Sequence, residues 1–302
     1  MFSTHTRRFE LGLCSVLIWG GLLLMASTSH AADTVLKPAS ANPEKWEPVY
    51  ADEFNGTEIS KEHWKWINKG DGFGNKELEF YTDRPENSFI KDGCLVLKAI
   101  KEPYKNCEYT SAKLLSKDAW TYGRFEIRAK LPSGKGIWPA FWMMPSDNKI
   151  YGGWPSCGEI DIMEQLGHDP NKIYGTLHFG NPHKSHGKNI LSKKPLAEDF
   201  HEYVIEWYPG EFRWYLDGEL FHVCNDWFTN AKDAVWPAPF NRDFYMQLNL
   251  AVGGNWPGSP DATTQFPQEM YIDYIRVYKC KGEEKLHEKG TVDSKLPGET
   301  KK

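Results

Sequence analysis

The sequence predicts an all-β fold, and three observations carry that expectation. The 302 residues hold 13 Trp, 14 Tyr and 16 Phe together with 26 Gly and 19 Pro, a composition suited to pleated strands joined by tight turns. No segment sustains the apolar period of a long helix. Instead, short runs alternate apolar and polar residues and stop at Asn-Gly, Asp-Gly or Pro-Gly pairs, which is turn chemistry. A formal net charge of −5 without any basic block argues against nucleic acid as a partner.

Taken in order, the chain opens with Arg7 and Arg8, an apolar run at 11–25 and the small-x-small signal Ser29-His30-Ala31. Residues 1–31 therefore read as a secretory signal peptide, and the protein as secreted or periplasmic. No other stretch is long and apolar enough to span a bilayer, so cleavage leaves no membrane anchor. Residues 32–46 read as a Pro-containing linker and 47–280 as one domain, a normal size for a β-sandwich.

Within the domain, Asp52-Glu53-Phe54-Asn55-Gly56 is a strand end and turn. The Gly-rich segment 70–75 is a loop running into a strand at 77–82. Asp92-Gly93 turns the chain into a core strand at 94–99. At 122–129, Phe125, Ile127 and Ala129 face one way and Arg124, Glu126 and Arg128 the other, a half-buried strand. The segment 136–145 is dense in aromatics, and 174–180 is a short strand with Thr176 and His178 on one face. Two strands at 200–207 and 212–218 form a meander around Pro209-Gly210. The run at 244–252 is another strand, and 270–278 is the last. Residues 281–302, charged and with little to bury, read as a disordered tail. With Cys14 in the signal, Cys94, Cys107, Cys157, Cys224 and Cys280 remain. In an exported protein four of these could pair, with the connectivity open.

The stretch that carries chemistry is Gly158-Glu159-Ile160-Asp161-Ile162-Met163-Glu164. Alternation puts Glu159 and Asp161 on one face of a strand and Ile160 and Ile162 in the core. Continued strictly, it would bury Glu164 among apolar groups, where an unpaired charge is costly. One extra residue near Ile162 and Met163, a β-bulge, returns Glu164 to the acid face. Such a row suits glycoside hydrolysis, which sets an ionised carboxylate and a protonated carboxyl on either side of the scissile bond. The charges at Glu159 and Asp161 raise the pKa of Glu164, making it the proton donor. Taken alone, the three acids also fit a calcium site or the wet face of an antiparallel sheet.

This motif resembles the signature of glycoside hydrolase family 16, in the bulged Glu-x-Asp-x-x-Glu form of its laminarinase-like members. The resemblance runs over about 47–279 as one domain. It implies a β-jelly roll sandwich of two curved antiparallel sheets with an open cleft, and an endo-acting, retaining hydrolase of β-1,3-glucan that also accepts mixed β-1,3-1,4-glucan. Glu159 would be the nucleophile, Asp161 its assistant, Glu164 the general acid/base and His178 a partner of the acid row. Asn75, Arg84, Trp138, Trp154 and Trp256 would bind the sugar chain. No cofactor is implied for catalysis, while Glu53, Gly93 and Asp273 match a structural calcium site away from the cleft. The expected partner is a polysaccharide, met by a monomer. Galactan hydrolysis of the agarase or carrageenase type, and non-catalytic glucan binding, are the alternatives.

Overall fold

A computed structural model describes residues 41–291; the expected signal peptide, most of the linker and residues 292–302 lie outside them. Seventeen strands are described, and no α-helix. They are β1 (Trp46–Asp52), β2 (Trp64–Trp66), β3 (Glu79–Tyr81), β4 (Ser88–Lys91), β5 (Cys94–Tyr104), β6 (Cys107–Ser111), β7 (Lys113–Trp120), β8 (Gly123–Lys130) and β9 (Ile137–Pro145). There follow β10 (Glu159–Glu164), β11 (Lys172–Phe179), β12 (Lys184–Leu191), β13 (His201–Tyr208), β14 (Glu211–Leu216), β15 (Glu219–Cys224), β16 (Phe244–Val252) and β17 (Gln268–Cys280).

The strands form two sheets. A ten-stranded sheet runs β15-β14-β13-β8-β17-β5-β6-β3, with β1 paired to β17 and β4 to β5; a seven-stranded sheet runs β12-β11-β10-β9-β16-β7-β2. All pairings are antiparallel except β3 with β6. The expected alternation is what packs the two sheets together. Phe125, Ile127 and Ala129 of β8 and Tyr203, Ile205 and Trp207 of β13 meet Phe141, Met143, Ile160 and Leu248 from the other sheet in one buried cluster. Trp207 stacks on Phe212 at 5.5 Å and meets Phe244 edge-on at 5.4 Å, so aromatic contacts bridge the layers. This is the β-jelly roll expected.

Three features differ from the sequence reading. Strand β12 was not foreseen, because it buries none of its residues and sits at a sheet edge where no apolar stripe is required. Cys107, Cys157, Cys224 and Cys280 are free thiols, so no pairing forms among them. The charged segment expected as a disordered tail is, over 281–291, seated on the domain. His287 N–H donates to Pro209 O at 2.8 Å and Gly290 N–H to Asn225 O at 3.0 Å, and Trp236 Nε1 donates to His287 O at 2.8 Å. Backbone hydrogen bonds hold it where apolar burial does not.

Candidate active site

Strand β10 carries the acid row, and its register contains the expected bulge. Against β9, Asp161 lies opposite Trp142 while Met163 lies opposite Phe141; against β11, Asp161 faces Thr176 and Glu164 faces Tyr174. Ile162 is the extra residue. Both Ile162 and Met163 are buried in the core, and Glu164 returns to the face of Glu159 and Asp161. Gly158 sets where the strand begins: its φ is +84°, and a Cβ there would come within 2.7 Å of the Phe240 ring.

Above the row lies a cleft of about 840 Å³, lined by Glu159, Asp161, Glu164, His178, Asn75, Trp138, Trp142, Trp154, Asn249 and Trp256 among others. Its floor is the outward half of the alternating strands, as with Ala140, Trp142 and Met144 of β9. Trp138 Nε1 donates to Glu164 Oε1 at 3.1 Å. The His178 Nε2 atom lies 3.2 Å from Asp161 Oδ2, and Trp214 Nε1 donates to the Asp161 backbone oxygen at 2.9 Å. Trp256 meets Trp138 edge-on at 5.6 Å and Tyr174 at 4.9 Å. Trp154, half exposed, lies over His183 with ring centres 4.9 Å apart.

Burial drives the electrostatics of the row more than mutual repulsion does. It pushes Glu159 up to about 8, with the Asp161 charge adding to the rise and His178, the Trp154 N–H and Lys113 opposing it. Burial likewise pushes Asp161 up to about 8. Glu164 goes well above the carboxylate range, raised first by burial and then by Asp161 and Glu159, against the pull of His178 and Trp138. Glu159 retains partial contact with the cleft and has the most cationic and donor groups around it. It therefore ionises before Glu164, which holds its proton.

Four of the five expected sugar-binding residues line the cleft. Arg84 does not. Its guanidinium pairs with Glu102, donates to Asn87 Oδ1 at 3.0 Å and Thr110 Oγ1 at 3.2 Å, and lies 4.6 Å from the Tyr104 ring centre. It fastens the β3 side of the ten-stranded sheet and is a structural residue. Of the residues expected to hold calcium away from the cleft, Glu53, Gly93 and Asp273, both carboxylates have arginine partners. Glu53 accepts from Arg276 at 2.6 and 2.9 Å, and Asp273 pairs with Arg128, so arginines already balance both charges. Donor atoms of Glu159, Asp161 and His178 do lie within 4.8 Å of one another, so a cation could be held in the row itself.

Other cleft residues escaped the sequence reading. His183 stacks on His178 with Nε2 2.8 Å from its Nδ1. Lys113 is buried, its amine 4.4 Å from the Trp142 ring centre, and burial pushes it down to about 8. Trp142 Nε1 donates to Asn249 Oδ1 at 2.7 Å. A half-polar strand gives no sequence signal separating such residues from a solvated face.

The model of the glycosyl hydrolases family 16 matches residues 61–276. The chain is 43% identical over 249 residues to a beta-glucanase of Rhodothermus marinus, covering 78% of this chain and 85% of that protein. It is 40% identical over 249 residues to a glucan endo-1,3-beta-glucosidase of Cryptopygus antarcticus, covering 76% and 91% respectively. Among solved structures, the laminarinase catalytic domain of Thermotoga maritima is 45% identical with a TM-score of 0.71, covering 79% of this chain and 100% of that one.

Proposed function

This chain belongs to the glycosyl hydrolases of family 16, and from that premise we propose a retaining endo-hydrolysis of β-1,3-glucosidic bonds in which Glu159 and Glu164 do the chemistry. The protein is a glycoside hydrolase acting on β-glucan, an endo-β-1,3-glucanase. The observation that carries the residue roles is the bulge. It sets Glu159, Asp161 and Glu164 in one row under the cleft.

In the first step a Glu159 carboxylate oxygen bonds to the anomeric carbon as the glycosidic bond breaks. The Glu164 proton goes to the leaving oxygen, so no alkoxide is released. In the second step Glu164, now ionised, takes a proton from water. The water oxygen bonds to the anomeric carbon and displaces the Glu159 carboxylate, so the configuration is retained. Asp161, between the two glutamates, shares a proton with Glu159 and keeps it as the Glu159 oxygen turns to form the ester. The Trp138, Trp154 and Trp256 rings offer apolar faces to the sugar chain, and Asn75 offers an amide. The reaction so written needs no cofactor, and no calcium is assigned to Glu53, Gly93 and Asp273, where two arginines pair with the carboxylates of Glu53 and Asp273.

One chain supplies every group named, which supports a monomer as the working unit. The signal-like residues 1–31 support export, as does a polymeric substrate that would not enter a cell intact. N-terminal sequencing of exported protein tests this, with Ala32 expected first.

The experiment for the function is to incubate the protein separately with laminarin, mixed-linkage glucan, agarose and carrageenan and to measure new reducing ends. Laminarin cut fastest, with the β-anomer released first by NMR, supports the reading. Cleavage of galactan alone would move the substrate class, and a Glu159→Gln variant with full rate would remove Glu159 from its role.

A further inference from the structure

On the flank of the cleft, away from the acid row, two edge strands of different sheets meet. Strand β12 ends the seven-stranded sheet and β15 ends the ten-stranded one. His186 of β12 and His222 and Cys224 of β15 bring their donor atoms within 4.8 Å of one another. The His-x-Cys spacing places His222 and Cys224 on one face of β15, and both are buried while His186 is half-buried. We propose that His186, His222 and Cys224 form a binding site for a borderline-soft divalent cation of the zinc class, which would staple the two sheets together beside the cleft.

The tautomers favour this. His222 Nδ1 lies 3.2 Å from Gly175 O. A carbonyl accepts and never donates, so Nδ1 carries the hydrogen and Nε2 presents its lone pair. That lone pair faces His186 Nδ1 at 3.0 Å, with the two rings only 13° apart in plane. An imidazole whose far nitrogen donates to a backbone carbonyl is the arrangement that orients a metal ligand. Trp214 fixes the ring further, stacked on His222 at 4.4 Å and 16°.

The distances suit the ion. Tetrahedral coordination with nitrogen at ~2.0–2.1 Å separates two such nitrogens by about 3.3 Å, so the histidine pair need open by only a few tenths of an ångström. On binding, the Cys224 thiol loses its proton to solvent and the thiolate bonds the metal. The His186 hydrogen moves from Nδ1 to Nε2, freeing Nδ1 as a ligand. Two imidazoles and a thiolate select zinc or cobalt over calcium or magnesium. The fourth position falls to water. Without the ion, the His186–His222–Gly175 hydrogen-bond chain satisfies the polar groups, so the metal is an added ligand and not a folding requirement.

The site bears on the cleft through β12, because Ser185, Gly187 and Asn189 on either side of His186 line it. The test is a Co²⁺ titration of the chelator-stripped full chain. Expected are a near-ultraviolet thiolate-to-cobalt charge-transfer band that saturates at one equivalent, its displacement by Zn²⁺, and a Zn²⁺-dependent rise in Tm of ~5 °C or more. Cys224→Ala should abolish the band, and His186→Gln should weaken binding at least tenfold, both while laminarin hydrolysis continues. No band in the parent protein, or a band that survives Cys224→Ala, would overturn the proposal. So would a Zn²⁺ effect on Tm that His186→Gln leaves unchanged.

Discussion

The indole of Trp138 donates to Glu164 across two neighbouring strands, Nε1 to Oε1 at 3.1 Å. Ala140, two residues after Trp138 on β9, pairs with Glu164 in the sheet, so the bulge that turns Glu164 outward also brings it beneath this ring. The bond favours the ionised carboxylate and opposes the rise in pKa that burial causes. Trp138→Phe keeps the ring and removes the donor. A lost hydrogen bond to a reacting group is worth roughly 1–2 kcal/mol, so kcat should fall about tenfold with KM little changed. The alkaline limb of the kcat/KM profile should move to higher pH. A shift to lower pH would show that the indole is not a donor to Glu164.

Asp161 lies between the two glutamates, and its charge raises both of them. Asp161→Asn removes that charge and leaves the burial, so the acid limb of kcat/KM, which reports ionisation of Glu159, should move down without reaching the ordinary glutamate range. An amide cannot share a proton with Glu159, so kcat should drop by ~10- to 100-fold over the same profile. An unmoved acid limb would mean that the Asp161 charge does not act on Glu159.

The acid row was legible in the sequence because its alternation breaks at a charged residue. Glu164 could not be left in the core, and a single inserted residue was the cheapest remedy. Strands such as β16 and β17 were legible for a related reason, since apolar and polar side chains alternate along them and so write out the strand register, even though the structure buries both faces. Arg84 was misplaced because its partners Glu102 and Thr110 arrive from β5 and β6, a meeting that local pattern does not encode. Lys113 and His183 were missed for the same reason. A cleft residue and a solvated one obey the same period of two, and only the facing sheet distinguishes them.

Arg84→Met separates a structural role from a sugar-binding one. Its guanidinium ties Asn87, Glu102 and Thr110 together and covers Tyr104. Partial exposure of Arg84 and Glu102 screens the ion pair, so the loss should be modest, ~1–2 kcal/mol, or roughly 3–6 °C in Tm. KM and kcat on laminarin should stay within twofold. A tenfold rise in KM with Tm intact would return Arg84 to the substrate.

The row that performs the chemistry should also weaken the fold at neutral and alkaline pH. Glu159 is raised to about 8 and Glu164 well above the carboxylate range, both chiefly by burial, whereas in the unfolded chain each titrates near ~4.3. Between those values the native state binds more protons than the unfolded one, so stability falls as pH rises. The favourable contribution is complete below the unfolded pKa and is lost as pH climbs through the folded one. Glu164→Gln cannot ionise in either state and can still accept the Trp138 hydrogen bond. It should therefore match the parent protein near pH 4 and exceed it at pH 8, by ~2–4 °C in Tm for each kcal/mol recovered, while losing activity. Glu159→Gln should gain less, because the cleft partly solvates that carboxylate. Thermal unfolding of both variants at the two pH values is the measurement. A Glu164→Gln protein less stable than its parent at pH 8 would mean that the surrounding donors more than offset the burial of that charge.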